Sequence, residues 1–282
     1  MRRASCAIAV FGLFQIDCFA EERPDKSRYN LFRPVPESLM REMATDRPDK
    51  TESAYSVDAG HFQIEMDLLS YTYDQSRHET AKSLAIAATN FKIGVLNNVD
   101  LQIVVETYNI QRTKDRDTGN SSRLSGFGDV TFRSKINLWG NEGGPTALSV
   151  MPFVKVPTAK RDLGNGATEG GVIFPFAMEL PCEWGFGAQV EIDHLKDSSR
   201  SDYHQEFVST VTVSHDIVGK LGGYVELYSN VSNEPHAAWI ATFDVGFTYA
   251  VTRDIQLDAG VNIGLTDAAD DVNPFLGLSL RY

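Results

Sequence analysis

Read in steps of two, the last residues of the chain separate into two faces. Leu276, Leu278, Leu280 and Tyr282 lie on one, and Phe275, Gly277, Ser279 and Arg281 on the other. Such alternation marks a strand with one apolar and one polar side. The pattern recurs from Gly60 onward. Phe62, Ile64, Met66 and Leu68 oppose Gln63, Glu65, Asp67 and Leu69, and Val130, Phe132, Ile136 and Leu138 oppose Asp129, Arg133, Lys135 and Asn137. Further along, Phe186, Val190 and Ile192 oppose Gln189, Glu191 and Asp193. Phe243, Val245 and Phe247 oppose Asp244 and Gly246, and Leu257, Val261 and Ile263 oppose Asp258 and Asn262. Counted along the chain, the runs predict about twelve strands, an even number as bacterial barrels require.

The predicted connections alternate as well. Short turns fall at Asn97-Asn98, Asn141 to Pro145, Pro181-Cys182-Glu183, Ile217 to Gly219 and Thr252-Arg253. Longer polar loops lie between them: Asp74 to Lys82, Arg112 to Ser125, Ala159 to Glu169, Lys196 to Asp202, Ser232 to Pro235 and Asp267 to Asp271. Tight turns at one rim and long loops at the other are the layout of an outer-membrane barrel, with both termini on the periplasmic side. Phe62, Trp184, Tyr249 and Tyr282 would form one interfacial girdle, and Phe207 and Trp239 the other.

A soluble β sandwich or barrel also alternates, with its apolar face turned inward. Here the polar faces carry charges in mid-strand (Glu65, Arg133, Lys135, Glu191, Asp244 and Asp258), as a wet lumen does. The apolar faces lack the large and small alternation of a packed interior. The expected fold is therefore all-β: a transmembrane antiparallel up-and-down barrel of outer-membrane type spanning residues 60–282.

Composition adds the flanking pieces. Arg2 and Arg3, the apolar run Ala4 to Ile16 and the small residues around Cys18-Phe19-Ala20 read as a secretory signal over residues 1–20. Cys6 and Cys18 fall inside it, so only Cys182 would remain after cleavage and no internal disulfide could form. Residues 21–59 carry Pro24, Pro34, Pro36 and Pro48, many charges and no sustained period. They read as an irregular periplasmic lead-in, with a helical turn around Glu37 to Met43. Two roles stand open for it: a solvated tail, or a plug in the barrel mouth.

The formal net charge of −12 argues against nucleic acid as a partner. The expected partners are outer-membrane lipid, small solutes and, through the closing strand that ends in Tyr282, the barrel-assembly machinery. Asp129, Arg133, Lys135, Glu191, Asp244, Asp258 and Glu65 are the expected pore lining. A lumen of this size would be narrow, and its excess of acids would disfavour anions. A structural or adhesive barrel without an open pore is the second reading, and a barrel hydrolase the third. The histidines (His61, His78, His194, His204, His215 and His236) are scattered singly, and no serine is placed beside His194 or on the face of His215. No catalytic residue, metal or cofactor is assigned.

Several stretches resemble a known family. Thr45-Asp46-Arg47-Pro48-Asp49, followed by Thr51-Glu52-Ser53 and by Ala59-Gly60 with Phe62, Gln63 and Glu65, is similar to the opening motif of the barrels described as "putative MetA-pathway of phenol degradation". Gly126 to Val130, Lys135 to Gly140 and Pro152 to Thr158 resemble its later motifs, with Ala159 where that family has glycine. The resemblance implies an outer-membrane, transporter-like barrel linked to uptake of aromatic or other small organic compounds. It also singles out Asp46, Arg47 and Asp49 as plug residues that fold back onto lumen charges such as Arg133 or Glu65.

Overall fold

The computed structural model describes residues 25–160, 163–197 and 202–282; the expected secretory signal lies outside the described residues. The alternating runs fold into strand segments β1 (Phe62–Gln75), β2 (Glu79–Leu96), β3 (Val99–Val105), β4 (Tyr108–Asp115), β5 (Ser121–Gly126), β6 (Val130–Trp139) and β7 (Thr146–Val156). After them come β8 (Glu169–Leu180), β9 (Trp184–Lys196), β10 (Tyr203–Val218), β11 (Leu221–Ser232), β12 (Ile240–Thr252), β13 (Ile255–Gly264) and β14 (Val272–Arg281). Each pairs antiparallel with its neighbours, and β1 pairs with both β2 and β14, so the sheet closes on itself. At the seam the Phe62 N–H donates to the Tyr282 carbonyl at 3.0 Å, and the Tyr282 N–H to the Phe62 carbonyl at 2.8 Å. Closure leaves no strand edge unpaired in hydrocarbon.

Two wall positions are interrupted. β3 pairs with the Thr89–Leu96 half of β2, and β4 with its Glu79–Ile86 half. β6 in turn pairs with β3, and β5 with β4. The segments therefore build a closed barrel of twelve strands. Here the structure departs from the expected loop over Arg112 to Ser125, most of which is the β4–β5 hairpin with a turn at residues 116–120. Gln111, Arg112, Lys114, Ser121, Ser122 and Arg123 are all exposed. With water on both faces, backbone pairing holds this hairpin without any alternation that a sequence could display.

The two faces are inverted relative to a soluble protein. Leu227 is 56% and Phe247 51% exposed, whereas Asp244 is fully buried and Asp258 5% exposed. An apolar belt this wide has no place in water, and lipid is its natural solvent. Phe62, Trp184, Tyr249, Tyr282, Phe207 and Trp239 all stand in the exposed belt. Two bulges change the expected parity. A register shift between Asp67 and Leu69 turns Leu69 outward beside Leu68, and one between Asn137 and Trp139 adds Trp139 to the periplasmic girdle.

The lead-in is ordered against the barrel. Tyr29, Val35 and Ala59 form a small apolar cluster with Leu39 and Met40, and a 3-10 turn covers Glu37–Leu39. The Leu31 N–H donates to the Val95 carbonyl at 2.9 Å, fixing the cluster to the lower end of β2. Beyond it the chain turns up into the lumen before reaching β1. Gly94 makes this passage feasible, because a Cβ there would lie 2.0 Å from the Asp58 carbonyl oxygen.

Candidate functional site in the barrel lumen

From Asp46 to Val57 the chain meets polar side chains from nearly the whole circumference of the wall. The Asp46 carboxylate bridges Lys92 of β2 and Lys135 of β6, both buried, while its N–H donates to the two Glu65 oxygens at 3.2 and 3.0 Å. Arg47 turns the other way along the wall, to β1 and β13. Its Nε and Nη2 fork onto Asp258 at 3.3 and 2.7 Å, and Nη1 donates to Asp67 at 2.6 Å. That fork lies flat over Gly277, where a Cβ would meet the guanidinium at 2.1 Å. Only a residue without a side chain leaves room for it there.

Next along, the N–H groups of Lys50 and Thr51 each donate to Glu226 at 2.8 Å, and Lys50 Nζ lies 3.2 Å from Asp244. Gln189 accepts from the Glu52 N–H at 2.7 Å, and Arg133 donates to the Glu52 carboxylate at 2.6 Å. The Ala54 carbonyl accepts from Asn137 and Ser149, and the Val57 N–H donates to Asp100 at 2.9 Å. The segment has no secondary structure of its own, so wall side chains satisfy the backbone groups that would otherwise be buried unpaired.

The sequence-derived residues thus divide. Glu65, Arg133, Lys135, Asp244 and Asp258 face inward and contact the inserted segment. Asp129 and Glu191 also face inward but engage other partners. Asp129 accepts from the Ala159 N–H at 2.9 Å, and Glu191 accepts from Gln189 at 2.9 Å. Asp46 and Arg47 hold the wall, whereas Asp49 lines a cavity of about 370 Å³ on the periplasmic side with Arg47, Tyr224 and Thr248. Burial, with Glu226 nearby, pushes the Asp49 carboxyl up to about 8. Asp46 shows the reverse. Burial opposes its charge, but Lys135 and Lys92 outweigh it and hold the carboxyl far below the usual carboxylate range.

Sequence reading passed over Lys50, Thr51 and Glu226 as a unit, because the contact joins positions some 175 residues apart. It also gave no sign of the cluster at the outer rim. There Asp197, His204 and Glu234, from two different hairpins, bring their ligand atoms within 4.8 Å of one another. Among the described residues, the hydrogen-bond partners of His215 and His194 do not include a serine. His215 packs on Trp184 with ring centroids 4.7 Å apart, and His194 stacks on Tyr203 at the same distance.

A closed twelve-stranded barrel with a lipid-facing apolar belt and a charged lumen is an integral protein of the bacterial outer membrane. The family model described as "Putative MetA-pathway of phenol degradation" matches residues 45–282, and the chain belongs to that family. The fold is similar to that of the COG4313 outer membrane channel from Pseudomonas putida F1, with a TM-score of 0.61 and 12% identity over 79% of this chain and 95% of that one. The translocator domain of the autotransporter NalP from Neisseria meningitidis aligns with a TM-score of 0.49 and 6% identity, over 79% of this chain and 88% of its own. No curated protein matches the chain.

Proposed function

We propose that the protein is a passive outer-membrane channel for small solutes, whose conductance is set by the segment inserted in its lumen. The observation that carries this reading is the ring of contacts from Asp46 to Val57, a cross-piece of polypeptide held by charged and polar wall side chains. A structural or adhesive barrel without an open pore would share the charged lumen, and conductance separates the two readings. The solutes admitted are small and polar at some point on their surface. Small aromatic and other organic compounds of the kind the family description suggests fit this reading when they carry a hydroxyl or amine. The similar fold of a protein described as an outer membrane channel supports it.

Planar-bilayer recording of refolded protein is the direct test. Discrete conductance steps are expected, and they should grow when Glu21 to Asp49 is deleted. A folded barrel that stays electrically silent before and after the deletion would leave the structural role standing instead.

A further inference from the structure

Among the described residues, the most exposed large apolar side chain is Phe32, at 93%, and it lies outside the barrel wall. Its place is set by a short turn in the lead-in. Asn30 and Arg33 exchange backbone hydrogen bonds in both directions, at 3.0 and 2.9 Å, so Leu31 and Phe32 form the tip of a two-residue hairpin. Pro34 favours this turn, because the residue before a proline is held in extended backbone and Arg33 is the closing position. The Asn30 side chain fixes the tip by accepting from the Phe32 N–H at 3.0 Å.

The hairpin is built onto the wall. Asn30 pairs antiparallel with Leu96, the last residue of β2, and the Leu31 N–H donates to the Val95 carbonyl. β1 begins at Phe62, opposite Ile93, so the lead-in takes up the edge that the end of β2 would otherwise leave open. Residues directly opposite across an antiparallel pair point to the same face. Leu96 is 47% exposed and stands in the apolar belt with Phe62, at 50%. Asn30 shares the Leu96 face, and its side-chain bond draws Phe32 to that face as well. The tip is therefore continuous with the periplasmic edge of the belt, where the aromatic residues of membrane barrels gather.

Charge points the same way. Arg33, in the same turn, pairs with no carboxylate among the described residues, and its guanidinium lies 5.9 Å from the centroid of the Tyr29 ring. Arg28 lies 5.1 Å from the same centroid, with Asp25 near it. Tyr29 is buried in the lead-in cluster, so both guanidiniums are held against a fixed ring at the rim. A guanidinium beside an exposed phenyl ring at a bilayer edge suits a phospholipid, with phosphate for the cation and acyl chain for the ring.

We propose that the Leu31-Phe32 turn is a lipid anchor for the lead-in, with Phe32 inserted in the periplasmic leaflet and Arg33 against its phospholipid phosphates. Docking of the lead-in, and with it the entry of the chain into the lumen, is then tied to the bilayer as well as to the rim.

The test places benzoylphenylalanine, a photoreactive phenylalanine analogue, at position 32 of the full-length barrel in vesicles of phosphatidylethanolamine and phosphatidylglycerol. After irradiation, mass spectrometry is expected to find phospholipid adducts at position 32. The same analogue in place of Leu96 should give them too, and in place of Glu37, an exposed lead-in residue, it should not. Adducts confined to the protein itself, adducts to a second copy, or a lipid yield no higher than at Glu37 would overturn the anchor. A spin label at Ser27 reads its strength in the same vesicles. Phe32→Ser should raise the ratio of mobile to immobile label about tenfold, a partly buried phenyl ring's worth. Arg33→Gln should raise it about fivefold, and Phe32→Trp should leave it unchanged. Equal mobility in Phe32→Ser and wild type would overturn the anchor as well. Heat-modifiable migration on gels verifies that each variant is folded. Conductance enters neither measurement, so the anchor is tested apart from the channel.

Discussion

At the scale of single residues, the lumen is held by ion pairs that water would make weak. Lys135 is 1% exposed, and Asp46 is its partner across the barrel interior. Removing one member of a buried pair leaves the other charged and unpaired, at a cost of about 3–5 kcal/mol. Asp46→Ala should therefore unseat the segment without unfolding the wall. Trypsin is expected to cut after Lys50 in the variant and to spare that bond in the wild type, while both still migrate as folded barrels. Unchanged protection would mean that the other contacts suffice. Gly277→Ala tests the stretch of wall around β14. Its new methyl group occupies the place of the Arg47 guanidinium and should break the fork onto Asp258, which predicts larger single-channel conductance from a folded protein. The sequence made Arg133, Glu65, Asp46 and Arg47 visible as charges at inward-facing or pre-strand positions. Which charge meets which was invisible, because partners such as Arg47 and Asp258 lie 211 residues apart.

At the scale of elements, the lead-in is fastened to the periplasmic rim by carboxylates in the short turns. Glu142 pairs with Lys26 at 2.8 Å and with Arg41 at 2.5 Å, and Asp254 pairs with Arg281 at 2.6 Å. Arg281 in turn donates to the Arg41 carbonyl at 2.7 Å. Burial works against ionisation at both acids. Bonds from Lys26, Asn97 and Arg41 outweigh it at Glu142, and bonds from Arg281 and Arg253 at Asp254, so both carboxyls titrate below their ordinary values. A carboxyl depressed in the docked state adds stability that is fully present above its free value of about 4 and is lost as pH falls through the docked one. Docking of the lead-in should thus be constant from neutral pH to about 5 and weaken on further acidification. A spin label at Arg28 reads this as mobility rising below about pH 4. Mobility that rises on the alkaline side instead would show that other groups control the docking. The bulges belong to this scale as well. Alternation located β1 and β6, but the extra residue in each that turns Leu69 and Trp139 to lipid is set by pairing with β14 and β7.

For the whole molecule, the sign of the lumen is the property most open to measurement. Glu65, Asp100, Glu226, Asp244 and Asp258 are buried in the wall against Lys92, Lys135 and Arg281. In a salt gradient the reversal potential should report preference for K⁺ over Cl⁻, and neutralising Glu191 and Asp193 together should reduce it. Anion preference in the wild type would contradict this electrostatic picture. Period-two patterning by itself determined that the chain is all-β, that one face meets lipid, and that the strands number about twelve, because each of these follows from local side-chain direction along a strand. Only the tertiary structure decided that residues 46–57 lie inside the barrel, which charges they neutralise, and that two wall strands are interrupted. Those outcomes depend on groups distant in the chain that meet once the barrel has closed, and no short-range pattern encodes such a meeting.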